Sequence, residues 1–218
     1  MSMLSTVDPT LALAAPVVGG YLLGSIPFGV IVTRLGGAGD VRKIGSGNIG
    51  ATNVLRTGRR DLAAITLLAD GGKGAIAALV AWWLFGPLAA VLAAGAAFLG
   101  HIFPVWLKFK GGKGVATFFG TLIAVSWPAG LMAGATWIAM AFLFRLSSLA
   151  ALVAAAISPL LVFAVDPGGE GKIYRVYLAA FMAVLIYIRH IDNIRRLLKG
   201  EEPRIGGSKA AATPPVAE

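Results

Sequence analysis

The chain has 218 residues, 57% of them hydrophobic and 13% charged, with a mean hydropathy of +0.81 and a formal net charge of +9. A soluble domain is about a quarter charged, so the composition is that of an integral membrane protein, and the absence of cysteine excludes disulfides, thiolate nucleophiles and thiolate metal ligands. The basic balance is assigned to cytoplasmic loops rather than to nucleic acid, because few aromatics interleave with the basic runs to stack on bases.

The first ten residues, MSMLSTVDPT, carry no basic region, so no cleaved signal peptide is expected. A spanning helix needs roughly 20 apolar residues, and seven candidates follow at about 11–33, 62–85, 88–106, 113–127, 129–144, 149–165 and 174–195. The second is interrupted by Asp70-Gly71-Gly72-Lys73, and the fourth is short for a span. An N-terminus outside and a C-terminus inside places all but three of the 19 Lys and Arg on the cytoplasmic side. The exceptions are Lys73, within a helix, and Lys172 and Arg175 on the far side, so the positive-inside rule is met. The expected architecture is an all-α membrane protein of seven helices, a single domain over 1–200, with 201–218 as a disordered cytoplasmic tail.

Between the first two spans lies a polar, glycine-rich, basic stretch, GDVRKIGSGNIGATNVLRTGRR at 39–60. Gly45, Gly47 and Gly50 allow φ > 0 and close backbone approach. Ser46, Asn48, Thr52 and Asn53 are short neutral donors and acceptors, and Arg42, Lys43, Arg56, Arg59 and Arg60 carry charge. Glycine turns make concave anion sites, and a short helix expected near Ala51 adds its dipole. That chemistry suits phosphate, against the plainer reading of a loop made basic by topology alone.

A second cluster runs GHIFPVWLKFKGGKGVAT at 100–117. Gly111, Gly112 and Gly114 around Lys113 form another phosphate-friendly turn, with Lys113 as a point charge. It is not a Walker loop, since Leu107 and Gly114 stand where that motif needs Gly and Ser or Thr. Asp70 and Lys73, three apart, share a helix face; charges within a span are paired or functional, and the sequence leaves both roles open. Ser147 and Ser148 follow Arg145 and read by themselves as helix caps. His190 and Asn193 share a face at the end of the last helix, and His101 precedes a Pro-containing turn. Two histidines and few carboxylates argue against a metal site.

IGSGNIGATN at 44–53, D-x-x-K-G at 70–74, the 100–117 run and IRHIDNIRRLL at 188–198 occur in that order. This set resembles the bacterial acyl-phosphate-dependent glycerol-3-phosphate acyltransferases (PlsY-type) over about residues 20–200. The resemblance implies a seven-helix inner-membrane enzyme that moves an acyl chain from acyl phosphate to the sn-1 hydroxyl of glycerol 3-phosphate. The products would be lysophosphatidic acid and inorganic phosphate, with no cofactor. By motif it carries over Ser46, Arg56, Lys113, Ser148, His190 and Asn193; with the loop residues above, the expected site has Ser46, Arg56, Lys113 and His190 as catalytic, and Gly45, Gly47, Asn48, Thr52, Asn53, Gly111, Gly112, Ser148 and Asn193 as substrate-binding. Ser148 has the weakest motif support, because Ser147 is adjacent. The H-x4-D signature of other glycerolipid acyltransferases is missing: Trp106 stands five after His101 and Arg195 five after His190. That argues against acyl-CoA or acyl carrier protein as donor.

The residues fit such a reaction independently. An acyl phosphate is already activated, so positioning and charge stabilisation suffice without a covalent nucleophile. The hydroxyl proton goes to a substrate phosphate, with His190 as the competing base. Two rival readings are a transporter of a phosphorylated metabolite, opposed by polar groups on one face only, and a lipid-binding scaffold, which needs no glycine turns in two separate loops.

Overall fold

The computed structural model describes residues 9–166, 168–169 and 171–206. All regular structure among them is helical: α1 (Pro9–Ser25), α2 (Phe28–Leu35), α3 (Ala51–Val54), α4 (Arg60–Phe85), α5 (Pro87–Ile102), α6 (Val115–Val125), α7 (Trp127–Phe144), α8 (Ser147–Val165), α9 (Lys172–Arg189) and α10 (Ile191–Leu198). The signal-peptide reading falls almost wholly on residues 1–8, outside the described residues.

Pro27 separates α1 from α2, because proline pushes the preceding Ile26 out of the helical region. Pro87 starts α5 at its first position, where the missing N–H costs nothing. Among the described residues, five stretches are long and apolar enough to cross a bilayer: Leu13–Leu35, Arg60–Phe85, Pro87–Leu107, Trp127–Phe144 and Ser147–Val165. The last expected span, 174–195, is instead two helices: α9 stops at Arg189 and α10 leaves at 63°. Asp192, Arg195 and Arg196 crowd α10 with charge, so it cannot continue along an apolar path. α6 is the short one, 11 residues, which rise only about 17 Å at 1.5 Å per residue.

Small residues draw the helices together. Along α1, a Cβ on Gly20 or Gly24 would strike the backbone of Ala93 or Ala97 on α5. One on Gly120 of α6 would strike Gly71 on α4. Without a hydrophobic force between helices in lipid, such backbone contact carries the packing. The central core is Phe98, Phe118, Leu122, Met182 and Ile186, each fully buried.

The connections fall at two ends. One end joins Gly171 to Pro87 and pairs Asp166 with Arg175 at 2.6 Å. The other gathers the loops after α2, α5, α7 and α9, and it holds the polar clusters. The chain from Glu201, expected to be a disordered tail, begins by lying on this end. Ile205 N–H donates to the Arg145 carbonyl (2.7 Å), and the Arg145 guanidinium donates back to the Ile205 carbonyl (3.0 Å). One backbone bond and one side-chain bond to the same residue hold the segment despite its low apolar content. Residues 207–218 lie outside the described residues.

Candidate active site

The loop after α2 is built around Asn53, which is 2% exposed. Its amide nitrogen donates to the carbonyls of Val41 (2.9 Å), Ile44 (2.9 Å) and Asn48 (2.8 Å). Its Oδ1 accepts from the Ser46 N–H and from Arg56, both at 3.1 Å. Asn53, expected to bind substrate, thus spends its hydrogen-bonding capacity on the loop itself. It holds Ser46 and Arg56 in place. Gly45 and Gly47 take φ of 54° and 70°, which only glycine adopts readily, and this wraps the chain around the Asn53 amide. Ser46 and Thr52 are exposed, and Asn48 is half-buried.

The cations of this stretch are not equivalent. Asp40 binds Arg42 at 2.5 Å and Arg34 at 3.0 Å, and Arg59 binds Asp61 at 2.6 Å. The hydrogen bond from Arg42 holds the Asp40 carboxyl well below the usual carboxylate range. Arg56 instead rests on the neutral amide oxygen of Asn53, so it is oriented without being neutralised.

Lys113 repeats the arrangement. Its Nζ donates to Oδ1 of Asn193, in the first turn of α10. The amide nitrogen of Asn193 donates to Glu202 (2.5 Å), and the other oxygen of Glu202 accepts from Arg196 (2.7 Å). Because lysine only donates and a carboxylate only accepts, these neighbours fix which way the Asn193 amide faces. Burial lowers the Lys113 ammonium to about 8; Glu202 opposes this, while Arg196, Arg56 and Arg189 add to it. The Arg56 cluster and the Lys113 cluster therefore lie within each other's field. Burial would raise the Glu202 carboxyl, but the hydrogen bonds from Asn193 and Arg196 hold it below its ordinary value.

Ser148, at the start of α8, is 6% exposed, and its Oγ has no hydrogen-bond partner among the described residues. Ser147 is only half-buried, so the structure distinguishes the two serines. The first-turn N–H groups of α8 and its dipole favour an anion here. His190 sits at the α9–α10 bend with Nδ1 at 2.8 Å from the Ile186 carbonyl. A carbonyl can only accept, so Nδ1 carries a proton and Nε2 is the nitrogen left to receive one.

Gly111 and Gly112 do not offer their N–H groups to a ligand, contrary to expectation. Those groups donate to the carbonyls of Ile102 and His101, both at 3.1 Å, while the glycine carbonyls accept from Arg189. A Cβ on Gly112 would collide with the His101 ring. These glycines let the turn lie flat on α5, and Lys113 alone reaches out from it.

Beneath the turn, Asp70 Oδ1 accepts from Lys73 (2.8 Å) and lies 3.5 Å from His101 Nδ1. Lys73 also donates to the Ile26 carbonyl at the α1–α2 break (2.9 Å), and Thr117 donates to the Asp70 carbonyl (2.8 Å). Both side chains of the Asp70–Lys73 pair are 1% exposed. Among the described residues no group of three His, Cys, Asp or Glu side chains could hold a metal.

Sequence reasoning missed three participants. Glu202 lay in the expected tail, marked only by an acidic pair after a basic helix. Arg189 appeared only within the IRHIDNIRRLL run, and His101 only as the residue before a Pro-containing turn. Neither the carbonyls that Arg189 grips nor the Asp70 that His101 faces is near in sequence.

A sequence model of the family described as glycerol-3-phosphate acyltransferase matches residues 14–200. A glycerol-3-phosphate acyltransferase of Caulobacter vibrioides is 64% identical over 209 residues, 95% of this chain and 94% of its own. One from Maricaulis maris is 58% identical over 208 residues, again 95% and 94%. Crystal structures of PlsY (YgiH), an integral membrane glycerol 3-phosphate acyltransferase, are similar to this one in two forms. The glycerol 3-phosphate form has a TM-score of 0.82 and 38% identity, covering 89% of this chain and 96% of that one. The lysophosphatidic acid form has a TM-score of 0.80 and 37% identity, covering 88% and 94%. With family-wide sequence agreement over nearly its whole length and a shared membrane fold, the chain belongs to the glycerol-3-phosphate acyltransferase family.

Proposed function

We propose that this protein transfers a fatty acyl group from acyl phosphate to the sn-1 hydroxyl of glycerol 3-phosphate, releasing lysophosphatidic acid and inorganic phosphate. The observation that carries this reading is the footing of the two site cations. Arg56 and Lys113 each rest on an asparagine amide oxygen rather than a carboxylate, so neither is neutralised by a direct ion pair and both face phosphate as cations. Arg56 and Lys113 hold the two phosphates and the negative charge that develops on the acyl carbonyl and leaving group. Ser46 and Ser148 add hydroxyl donors, and Gly45, Gly47, Asn48 and Thr52 line the exposed side of the loop.

The hydroxyl oxygen of glycerol 3-phosphate attacks the acyl carbonyl, the C–O bond to phosphate breaks, and the hydroxyl proton ends on the departing phosphate. His190 Nε2 is the alternative acceptor. No covalent intermediate is required, because the donor carries its own leaving group. Residues 1–200 form one domain of seven spans, with the short α6 as the fourth and α9 as the last. The loops that hold the site face the cytoplasm and the N-terminus lies outside the inner membrane, as the distribution of Lys and Arg supports.

Purified protein in detergent micelles or a lipidic phase, given palmitoyl phosphate and glycerol 3-phosphate, should release inorganic phosphate only when both are present. Lys113→Ala should lower kcat/KM by about 10²–10³-fold, and palmitoyl-CoA should not replace the donor. Folded wild-type protein without turnover would overturn the reading. Flux of glycerol 3-phosphate into proteoliposomes would then favour the transporter.

A further inference from the structure

Arg189, the last residue of α9, is committed to the turn that carries Lys113. Its Nε donates to the Gly112 carbonyl at 3.2 Å, and a terminal nitrogen donates to the Gly111 carbonyl at 3.1 Å. Its guanidinium lies 6.0 Å from the centre of the Phe103 ring, which steadies the fork from the α5 side. The glycine N–H groups already point at the carbonyls of His101 and Ile102. All four backbone polar groups of Gly111 and Gly112 are therefore fixed, half of them by Arg189. Without a Cβ to restrain them, these two residues would otherwise rotate their peptide planes freely.

The same corner of the fold meets the other end of the lysine. Asn193, four residues beyond Arg189, accepts from Lys113 Nζ. The α9–α10 bend thus grips Lys113 at its backbone root, through Arg189 and the two carbonyls, and at its tip, through Asn193. A guanidinium presents two coplanar N–H groups that hold its own plane fixed against two neighbouring carbonyls; an ammonium can bond two acceptors, as Lys73 does, but its rotating N–H groups impose no such plane.

We propose that Arg189 is a positioning residue of the acyl transfer: its two-carbonyl fork sets the direction in which Lys113 leaves the glycine turn. The inference rests on Lys113 serving the reaction described above. It separates Arg189 from the cations that meet substrate, since its guanidinium is engaged with the protein's own backbone.

The test is kinetic, with Arg189→Lys, Arg189→Gln and the exposed Arg195→Lys as control, each also placed in the Lys113→Ala background. Arg189→Lys keeps the charge and loses the fork. Its kcat should fall about 10–100-fold, the scale of a misplaced catalytic group, with the melting temperature near that of the wild type. The titratable and charged groups that act on Lys113 or are acted on by it are Glu202, Arg196, Arg56, Arg189 and His190. Arg189→Lys should accordingly leave the alkaline limb of kcat/KM where it is, whereas Arg189→Gln should move it to higher pH. In the Lys113→Ala background, Arg189→Lys should cost nothing further, because its effect runs through a side chain already removed. Arg195→Lys should behave as wild type.

Activity of Arg189→Lys within twofold of wild type, or a full additive loss in the double variant, would overturn the proposal. Failure of Arg189→Lys to fold would also overturn it, by making the fork a folding element. Absence of turnover in the wild type would instead refute the acyltransferase reading, so the two failures are distinct.

Discussion

Asn53 and Asn193 show what a neutral amide does beneath a cation. Each supplies one oxygen to hold Arg56 or Lys113, and uses its nitrogen to tie that oxygen into the fold. The protonation of Lys113 follows from what surrounds this contact. Because the free ammonium titrates at about 8, kcat/KM should fall as pH rises through that value. In Glu202→Gln a negative neighbour that favours the charged ammonium is gone, so the limb should shift to lower pH in a pH–rate profile. An unmoved limb would mean that Glu202 does not act on Lys113. At this scale the sequence was legible for which residues gather and less so for what each does. The SGN-x-G-A-T-N density marked a built loop, yet a short polar side chain looks the same whether it faces a ligand or a backbone carbonyl. Asn53, Gly111 and Gly112 were read as ligands for that reason and turn out to shape the loops.

Among the elements, α4 carries the largest electrostatic liability, the fully buried Asp70–Lys73 pair. Removing one partner of such a pair leaves a charge stranded, at a cost of about 3–5 kcal/mol, whereas replacing both with apolar residues is often near neutral. Asp70→Asn should therefore lower the melting temperature in detergent far more than Asp70→Leu combined with Lys73→Met. The reverse order would mean that the pair itself supplies the stability. Most helix positions were legible, because runs of apolar residues bounded by Pro, Gly and basic clusters leave few alternatives. The bend at His190 was not. Apolar and polar residues alternate continuously from α9 into α10, and the turn arises from the charge on α10 and from the long-range grip of Arg189 and Asn193, which no local pattern announces.

The bundle as a whole depends on backbone touching backbone. Gly24→Leu would drive a side chain into the Ala97 carbonyl. Overpacking a close contact costs about 1–3 kcal/mol, and thermal unfolding in detergent should show that loss, while Gly19→Leu, with nothing within 4 Å of its added Cβ, should show little. An equal response from both would mean that the α1–α5 seam tolerates separation. The two ends of the bundle were legible from charge asymmetry alone, since the basic residues fell in alternate loops. The reach of Glu202 back onto the bundle was not, because a polar segment after a helix carries no signal of where it docks.

Cations that rest on neutral amides rather than on carboxylates, as Arg56 and Lys113 do, attract the phosphate that the proposed reaction discards as well as the phosphate it needs. Orthophosphate, a product of the proposed reaction, should therefore compete for the same ground, and turnover should slow in phosphate buffer relative to an organic-sulfonate buffer of equal ionic strength. Initial rates with increasing orthophosphate would show this as a rise in the apparent KM for substrate. In the cell, the rate would then answer to how quickly the by-product is carried away as well as to the supply of donor.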